Sequence, residues 1–390
     1  MEILIRIFIL HIKIIYFIFK LLPVDSHKVV FLSRNFDAPP LDFRLIEKEL
    51  VKNSAGYKTV FLTRRIRGGI PNMVGYYFHT IRQLFHIATT NVCVIDSYII
   101  PISVLNHRKE LRVIQIWHSM GAIKKFGYQT LGTRYGRDTR LSALLHMHEK
   151  YDVIVSGSYD MIPYYCEAFN THREHFLPVG LPRIDYIVGS KDDIQRRIYS
   201  KYPELEQKPV ILYVPTFRPE IDDGIDKFIE SVDFDKHTLI IKKHPNDQRE
   251  FKDNRVTNIQ GFSALELLTV ADYIITDYSA ISIEASALLK CVYFYVYDYD
   301  KYVESNGLNI DLYNEMPGCV FKSADKLMEK INHGSYDIKS IRDFKDKYVV
   351  NNGYSAQIIS AVIDECANRV WAGNIEQLRR KYDKVPETVD

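Results

Sequence analysis

Short apolar runs alternate with amphipathic segments from Lys28 onward, and this alternation constrains the fold more than any other feature of the chain. Residues 28–32, 58–62, 91–95, 111–117 and 151–155 read as strands, with helical stretches at 42–50 and 80–88. A second series follows, with strands at 209–214, 238–242, 273–276 and 292–297, a weaker one at 256–259, and helices at 265–270 and 282–289. Strands alternating with helices argue for βαβ units and parallel sheets. Pro and Gly in Gly180-Leu181-Pro182-Arg183 punctuate the two series. The expectation is an α/β protein with two Rossmann-like domains facing a cleft, at 23–179 and 180–350. A C-terminal region, 351–390, would carry an amphipathic helix at 356–368 that packs back across the cleft, and a charged, peripheral tail from Trp371.

A length of 390 residues suits two domains of ordinary size. The formal net charge is only +2, and no recognised nucleic-acid motif is present, so a nucleic-acid partner is disfavoured. Any cationic function must be local. The cysteines, Cys93, Cys166, Cys291, Cys319 and Cys366, are odd in number and scattered. That argues against a disulfide framework or a structural zinc site and fits a reducing compartment.

Residues 1–22 are overwhelmingly apolar, and no small-residue cleavage site follows, which argues against a secretory signal. The run has the length to cross a bilayer, but Arg6, Lys13 and Lys20 recur at seven-residue spacing on one helical stripe. Lys13 would sit near the bilayer centre, where a cation costs roughly 2.5–3.5 kcal/mol. A helix lying in the interface avoids that cost, with its lysines on anionic headgroups and its Ile, Leu and Phe side chains in the acyl boundary. The alternative is a helix packed on the protein's own core with a thin solvent stripe.

Ligands of open α/β sheets bind at the carboxyl ends of the strands. Three such ends are polar and partly cationic here, which suggests an anionic, phosphorylated substrate. The first is Trp117-His118, with Gly121, Lys124, Lys125 and Gly127 behind it. A neutral imidazole at His118 suits a general base near pH 7; a hydrogen-bonded strand end is the alternative. The second is Lys242-Lys243-His244-Pro245, where His244 could donate to a pyrophosphate oxygen. The third is Thr276-Asp277-Tyr278-Ser279, which precedes a helix containing Glu284. Hydroxyls beside free helix amides attract anions; Asp277 would instead orient Ser279 or a ribose hydroxyl, and Glu284 could bond ribose. Simple helix capping explains this segment equally well. Thr216 and Arg218 follow another strand, and arginine grips phosphate with two parallel N–H bonds. Arg64, Arg65 and Arg67 form a basic loop that could guide an anionic acceptor or touch anionic lipid. No Gly-x-Gly-x-x-Gly or Walker A loop is present, which disfavours nicotinamide and P-loop enzymes. No metal site is expected, since His146 and His148, two apart, do not share a helical face.

The ordered set Trp117-His118, Lys124-Lys125-x-Gly127, Gly180-x-Pro182-Arg183-x-Asp185, Pro215-Thr216-Phe217-Arg218, Lys243-His244-Pro245, Thr276-Asp277-Tyr278-Ser279, Asn306-Gly307 through Pro317-Gly318, and Asn352-Gly353-Tyr354-Ser355 resembles the CDP-glycerol glycerophosphotransferase family of teichoic acid and capsule polymer synthesis. The resemblance covers residues 111–363. It implies a GT-B fold and transfer of a polyol phosphate from a CDP-activated donor, such as CDP-glycerol, onto a lipid-linked acceptor, with release of CMP. It also implies a peripheral position on the cytoplasmic face of the membrane. On this resemblance His118 is the base on the acceptor hydroxyl, while His244, Thr276, Ser279 and Arg218 contact the donor pyrophosphate. Ser119, Ala280, Asn306 and Asn352 depart from the family pattern. They leave open ribitol phosphate or another polyol phosphate as the unit transferred. A glycosyltransferase using a nucleotide sugar, and a catalytically silent membrane-bound assembly protein, are the rival readings.

Overall fold

A computed structural model describes residues 2–53, 56–133, 136–218, 224–243, 247, 253–350, 353–371 and 373–382. The chain forms two compact units. The first contains Met1–Ser119, Phe126–Arg183 and Val350–Asp390; the second contains Met120–Lys125 and Ile184–Val349.

The first unit is built on a six-stranded parallel sheet of β1 (Asp25–Ser33), β2 (Lys58–Thr63), β3 (Thr90–Ile95), β4 (Arg112–Gln115), β5 (Val153–Val155) and β6 (Phe176–Leu177). The strand order is β2-β1-β3-β4-β5-β6, so the direction of winding reverses between β1 and β3. Val29 to Leu32 and Val92 to Ile95 are fully buried, as expected of central parallel strands covered on both faces. Helix α2 (Leu41–Asn53) packs against the helix Ser355–Ala367, which also touches β1 and β3. Tyr57 Oη donates to Asp364 at 2.8 Å, and Asn91 Nδ2 to the Ala367 carbonyl at 3.2 Å. The C-terminal helices are therefore part of the first unit. The tail expected to be peripheral is packed as far as the helix Ile375–Tyr382. Trp371, Ile375 and Leu378 are buried, and Arg379 Nε donates to the Phe176 carbonyl at 3.0 Å. Its charges lie on one face of an amphipathic helix whose apolar face closes the sheet beside β6.

Helix α1 (Glu2–Phe19) buries only Ile9, Ile12 and Tyr16. It packs on α3 (Ile70–Ala88), where Phe19 meets Phe85 edge-on and His11 bonds the Tyr77 hydroxyl at 2.8 Å. The helix expected at 80–88 starts ten residues earlier, with Pro71 in its first turn. Its early apolar residues, Ile70, Met73, Val74 and Phe78, face outward and hide the periodicity.

The second unit carries a five-stranded parallel sheet of β7 (Val210–Tyr213), β8 (Thr238–Ile241), β9 (Tyr273–Thr276), β10 (Cys291–Tyr295) and β11 (Val320–Phe321), in the order β11-β10-β9-β7-β8. Winding reverses between β7 and β9. The strand expected at 256–259 is reduced to a single bridge between Leu239 and Val256.

Candidate active site

In the first unit, His118 lies just beyond β4. Trp117, the residue before it, has φ +52, a left-handed conformation costly for a bulky side chain. Its indole is held by stacking on Phe126 at 5.0 Å and edge-on packing with Phe169 at 5.0 Å. The Trp117 backbone N–H donates to Gln115 Oε1 at 2.9 Å. This turn re-aims the half-buried His118. Its Nδ1 lies 3.0 Å from the Asp96 carbonyl oxygen. A carbonyl can only accept, so Nδ1 carries the ring proton and Nε2 the lone pair. The Asn35 side-chain amide nitrogen lies 3.2 Å from the same ring nitrogen; a proton on Nδ1 requires that amide to turn its oxygen to the ring.

The backbone of His118 is clamped as well. Arg183 Nη1 donates to the His118 carbonyl at 3.0 Å, and Arg183 Nε donates to Asp42 at 2.8 Å. Asp42 also accepts the Arg183 backbone N–H at 2.8 Å, and its side chain is 1% exposed. Gly180, three residues earlier, has φ +81, and a Cβ there would lie 2.5 Å from the Val350 carbonyl oxygen. The Asp96 carboxylate is buried, and neither oxygen makes a hydrogen bond among the described residues. Burial raises its pKa to about 6.

In the second unit, Asp277 follows β9 and is fully buried. It accepts from the Thr216 N–H at 2.9 Å, the Thr216 hydroxyl at 2.5 Å and Arg218 Nη1 at 2.8 Å. Burial pushes this carboxyl up, but Arg218 and Thr216 outweigh it and hold the pKa below the usual range. Arg218 also forks onto Asp298, with Nε at 2.8 Å and Nη2 at 3.1 Å, and donates from Nη1 to the Thr216 carbonyl at 2.8 Å. Tyr278, Tyr297 and Tyr302 surround its guanidinium, each with a ring centroid 5.4 Å away. Burial disfavours this cation, yet Asp277 and Asp298 raise its pKa above the ordinary value.

Lys124 and Lys125 group with this unit because the 306–309 loop holds their segment. Lys125 N–H donates to the Gly307 carbonyl at 3.2 Å, Asn309 N–H to the Ile123 carbonyl at 2.8 Å, and Asn309 Nδ2 to the Ala122 carbonyl at 2.8 Å. Gly307 has φ +81, and a Cβ there would come within 2.9 Å of Lys125 Cδ. Lys124 is half-buried. Its ammonium makes no hydrogen bond or ion pair among the described residues. Burial lowers its pKa, and nearby Asp277 pulls it back up.

The remaining expected residues divide into structural positions and open ones. The Thr276 hydroxyl donates to the Val214 carbonyl at 2.8 Å. Ser279 Oγ accepts the Ile281 N–H at 3.4 Å, and Glu284 is buried in the helix Ile281–Ala287. Arg64 donates to the Gly75 carbonyl at 2.9 Å, Arg65 to the Asn35 carbonyl at 3.1 Å, and Arg67 pairs with Asp37. Arg6 pairs with Glu2, Lys20 donates to the Asn106 carbonyl at 3.0 Å, and Lys13 is exposed. His244, with Pro245, lies outside the described residues. Sequence reasoning assigned no role to Asp42, Asp96 or Asp298. Their only signal is an acidic residue set directly against apolar neighbours.

Residues 14–364 match the CDP-Glycerol:Poly(glycerophosphate) glycerophosphotransferase family. The chain belongs to this family. Its relatives include the teichoic acid ribitol-phosphate primase of Bacillus spizizenii, 29% identical over 359 residues, covering 88% of this chain and 92% of that protein. The teichoic acid glycerol-phosphate primase of Bacillus subtilis is 27% identical over 307 residues, covering 74% of this chain and 78% of that protein. Among solved structures, the wall teichoic acid polymerase TagF superposes with a TM-score of 0.73 at 18% identity, over 94% of this chain and 96% of that one. The resemblance read from the ordered motifs thus stands as family membership, and the two parallel α/β units as the TagF-like fold.

Proposed function

We propose that this glycerophosphotransferase family member moves a polyol-phosphate unit, glycerol phosphate or ribitol phosphate, from a CDP-activated donor to a hydroxyl of a lipid-linked acceptor or growing teichoic acid chain. The family match over residues 14–364 carries this reading. The acceptor oxygen attacks the donor phosphorus distal to cytidine. The new P–O bond forms as the bond to the bridging oxygen breaks, and CMP leaves with that electron pair. His118 Nε2 takes the acceptor proton, a contribution typically worth about 10²–10⁴-fold. The Lys124 ammonium neutralises charge on the donor diphosphate, joined by Lys125, His244 and the Thr276–Ser279 turn. Arg218 has a supporting role: with its donors committed to Asp277, Asp298 and Thr216, it fixes the strand ends on which the donor rests. Charge stabilisation by such fixed groups needs no rearrangement at the moment of reaction.

The reaction takes place at the cytoplasmic membrane face, with α1 and α3 as the docking surface. Ile3, Leu4, Ile7, Leu10, Ile14, Phe17 and Ile18 of α1 are exposed, and Ile70, Met73, Val74 and Phe78 of α3 extend the same apolar character. An exposed apolar area of this extent marks an interaction site. Among the described residues no helix is long and apolar enough to cross a membrane. Contact in the plane of the interface fits both observations.

The test is single-turnover reaction of the purified chain with radiolabelled CDP-glycerol and CDP-ribitol and a lipid-linked acceptor. Release of CMP with a product heavier by one polyol phosphate is the expected result. Turnover of a nucleotide sugar, or no CMP release from either donor, overturns the reading. His118→Ala retaining near-normal rates removes His118 as the base.

A further inference from the structure

Two guanidinium groups of the first unit share one aromatic ring and pair with no carboxylate among the described residues. Arg34 follows β1 directly, and its guanidinium carbon lies 5.0 Å from the centroid of Tyr98. Arg137, just before the helix Thr139–Leu144, lies 5.3 Å from the same centroid. Neither guanidinium makes a hydrogen bond or ion pair among the described residues. Tyr98 is fully buried, and its hydroxyl is tied to the Leu145 carbonyl at 2.6 Å, so the ring is a fixed platform. Glu149, an acid close enough to act on Tyr98, is engaged by His146 at 3.1 Å.

The position of this pair matters as much as its charge. Arg34 ends β1 and Tyr98 follows β3, and β1 and β3 flank the reversal of winding in the first sheet. Ligands of doubly wound sheets sit at the carboxyl ends of such strands. Asn35, bonded in sequence to Arg34, lies 3.2 Å from the His118 ring. The arginines and the imidazole therefore occupy one end of one sheet. Arg34 is half-buried, and both its burial and the charge of Arg137 lower its pKa. Two cations held this way are unfavourable alone and become favourable around a shared phosphate anion. Guanidinium forks match phosphate oxygens better than any other side chain does.

We propose that Arg34 and Arg137 form a phosphate subsite of the first unit that grips a phosphoryl group of the acceptor beside the hydroxyl offered to His118. The assignment rests on the transfer reaction proposed above and adds to it the residues that recognise a phosphate beside the attacking hydroxyl of the acceptor. The donor diphosphate is the other possible source of the same chemistry, and the experiment separates the two.

The variants are Arg34→Gln, Arg34→Lys and Arg137→Gln. Arg137 is exposed, so its replacement leaves folding intact. Steady-state kinetics with CDP-glycerol and a lipid acceptor ending in glycerol phosphate are expected to show acceptor KM raised about tenfold or more in both Gln variants. Donor KM and CMP affinity should stay within about twofold, and Arg34→Lys should recover part of the loss. Acceptor KM unchanged in both Gln variants overturns the subsite. A rise confined to donor KM or CMP affinity assigns the phosphate to the donor and overturns the acceptor assignment. Calorimetric titration with sn-glycerol 3-phosphate is independent of turnover. Binding by the unaltered chain that disappears in Arg34→Gln and Arg137→Gln supports the subsite even if no polyol-phosphate transfer is found. No binding at millimolar concentration overturns it.

Discussion

Arg183 donates to the main-chain oxygen of His118 at 3.0 Å while the same guanidinium holds buried Asp42. The imidazole is thus fixed at its ring by the Asp96 carbonyl and at its backbone by an ion pair anchored at the start of α2. Removing one partner of a buried pair leaves the other charge uncompensated, which costs about 3–5 kcal/mol. Asp42→Asn is expected to fall in that range by urea denaturation. Arg183→Lys keeps the charge and loses the fork. It should retain most stability while kcat drops about tenfold at unchanged donor KM. Equal loss of kcat and of CMP affinity would show that the clamp serves the fold and not the base.

Asp96 gives a pH signature. Its folded pKa is raised to about 6 from an ordinary value of 3.8. The ionised form is therefore disfavoured in the folded state. The penalty is absent below about pH 4, grows as pH rises towards 6 and is complete above it. A shift of this size corresponds to about 3 kcal/mol. Asp96→Asn should be more stable than the unaltered chain by about 2–3 kcal/mol at pH 7.5, with the difference vanishing near pH 4. A stability gain independent of pH would refute the buried-carboxylate account.

The strand ends were legible in sequence because each apolar run stops at a polar turn. That pattern brought out His118, Thr216 and Asp277 without coordinates. What these residues touch was not legible. Asp42 reads as an acid in a helix's first turn, yet its partner lies 141 residues away. Arg218 reads as a phosphate reader because spacing cannot reveal Asp298, 80 residues on, which takes half its fork. Lys124 and Lys125 lie between first-unit strands in sequence but group with the second unit, through a loop near residue 307. Arg34 carried no signal at all, since its lack of a carboxylate partner among the described residues is a property of the fold alone.

Gly307 tests that loop. Any side chain there must adopt φ +81 and push against Lys125. Gly307→Ala should cost about 1–2 kcal/mol in stability of the second unit and displace the Lys124 segment. The expected readout is a rise in KM for the CDP donor with acceptor KM unchanged. Donor KM at its usual value, with the stability loss present, would remove Lys124 from the donor contacts.

Membrane docking by α1 and α3 predicts a separation of binding from chemistry. Phe17 is 65% exposed and Phe78 is 65% exposed, on the two packed helices. Neither supports the core, so Phe17→Glu and Phe78→Glu should melt at the temperature of the unaltered chain. Burying a large apolar side chain is worth about 1.5–3 kcal/mol, so each change should weaken sedimentation with phosphatidylglycerol vesicles by at least about tenfold. Exposed Lys13 adds an electrostatic part that salt screens, so raising ionic strength should weaken vesicle binding further. Turnover of a water-soluble acceptor analogue should remain unchanged in both variants, because neither residue belongs to the proposed transfer machinery. Vesicle binding that survives both substitutions would assign these helices to another partner.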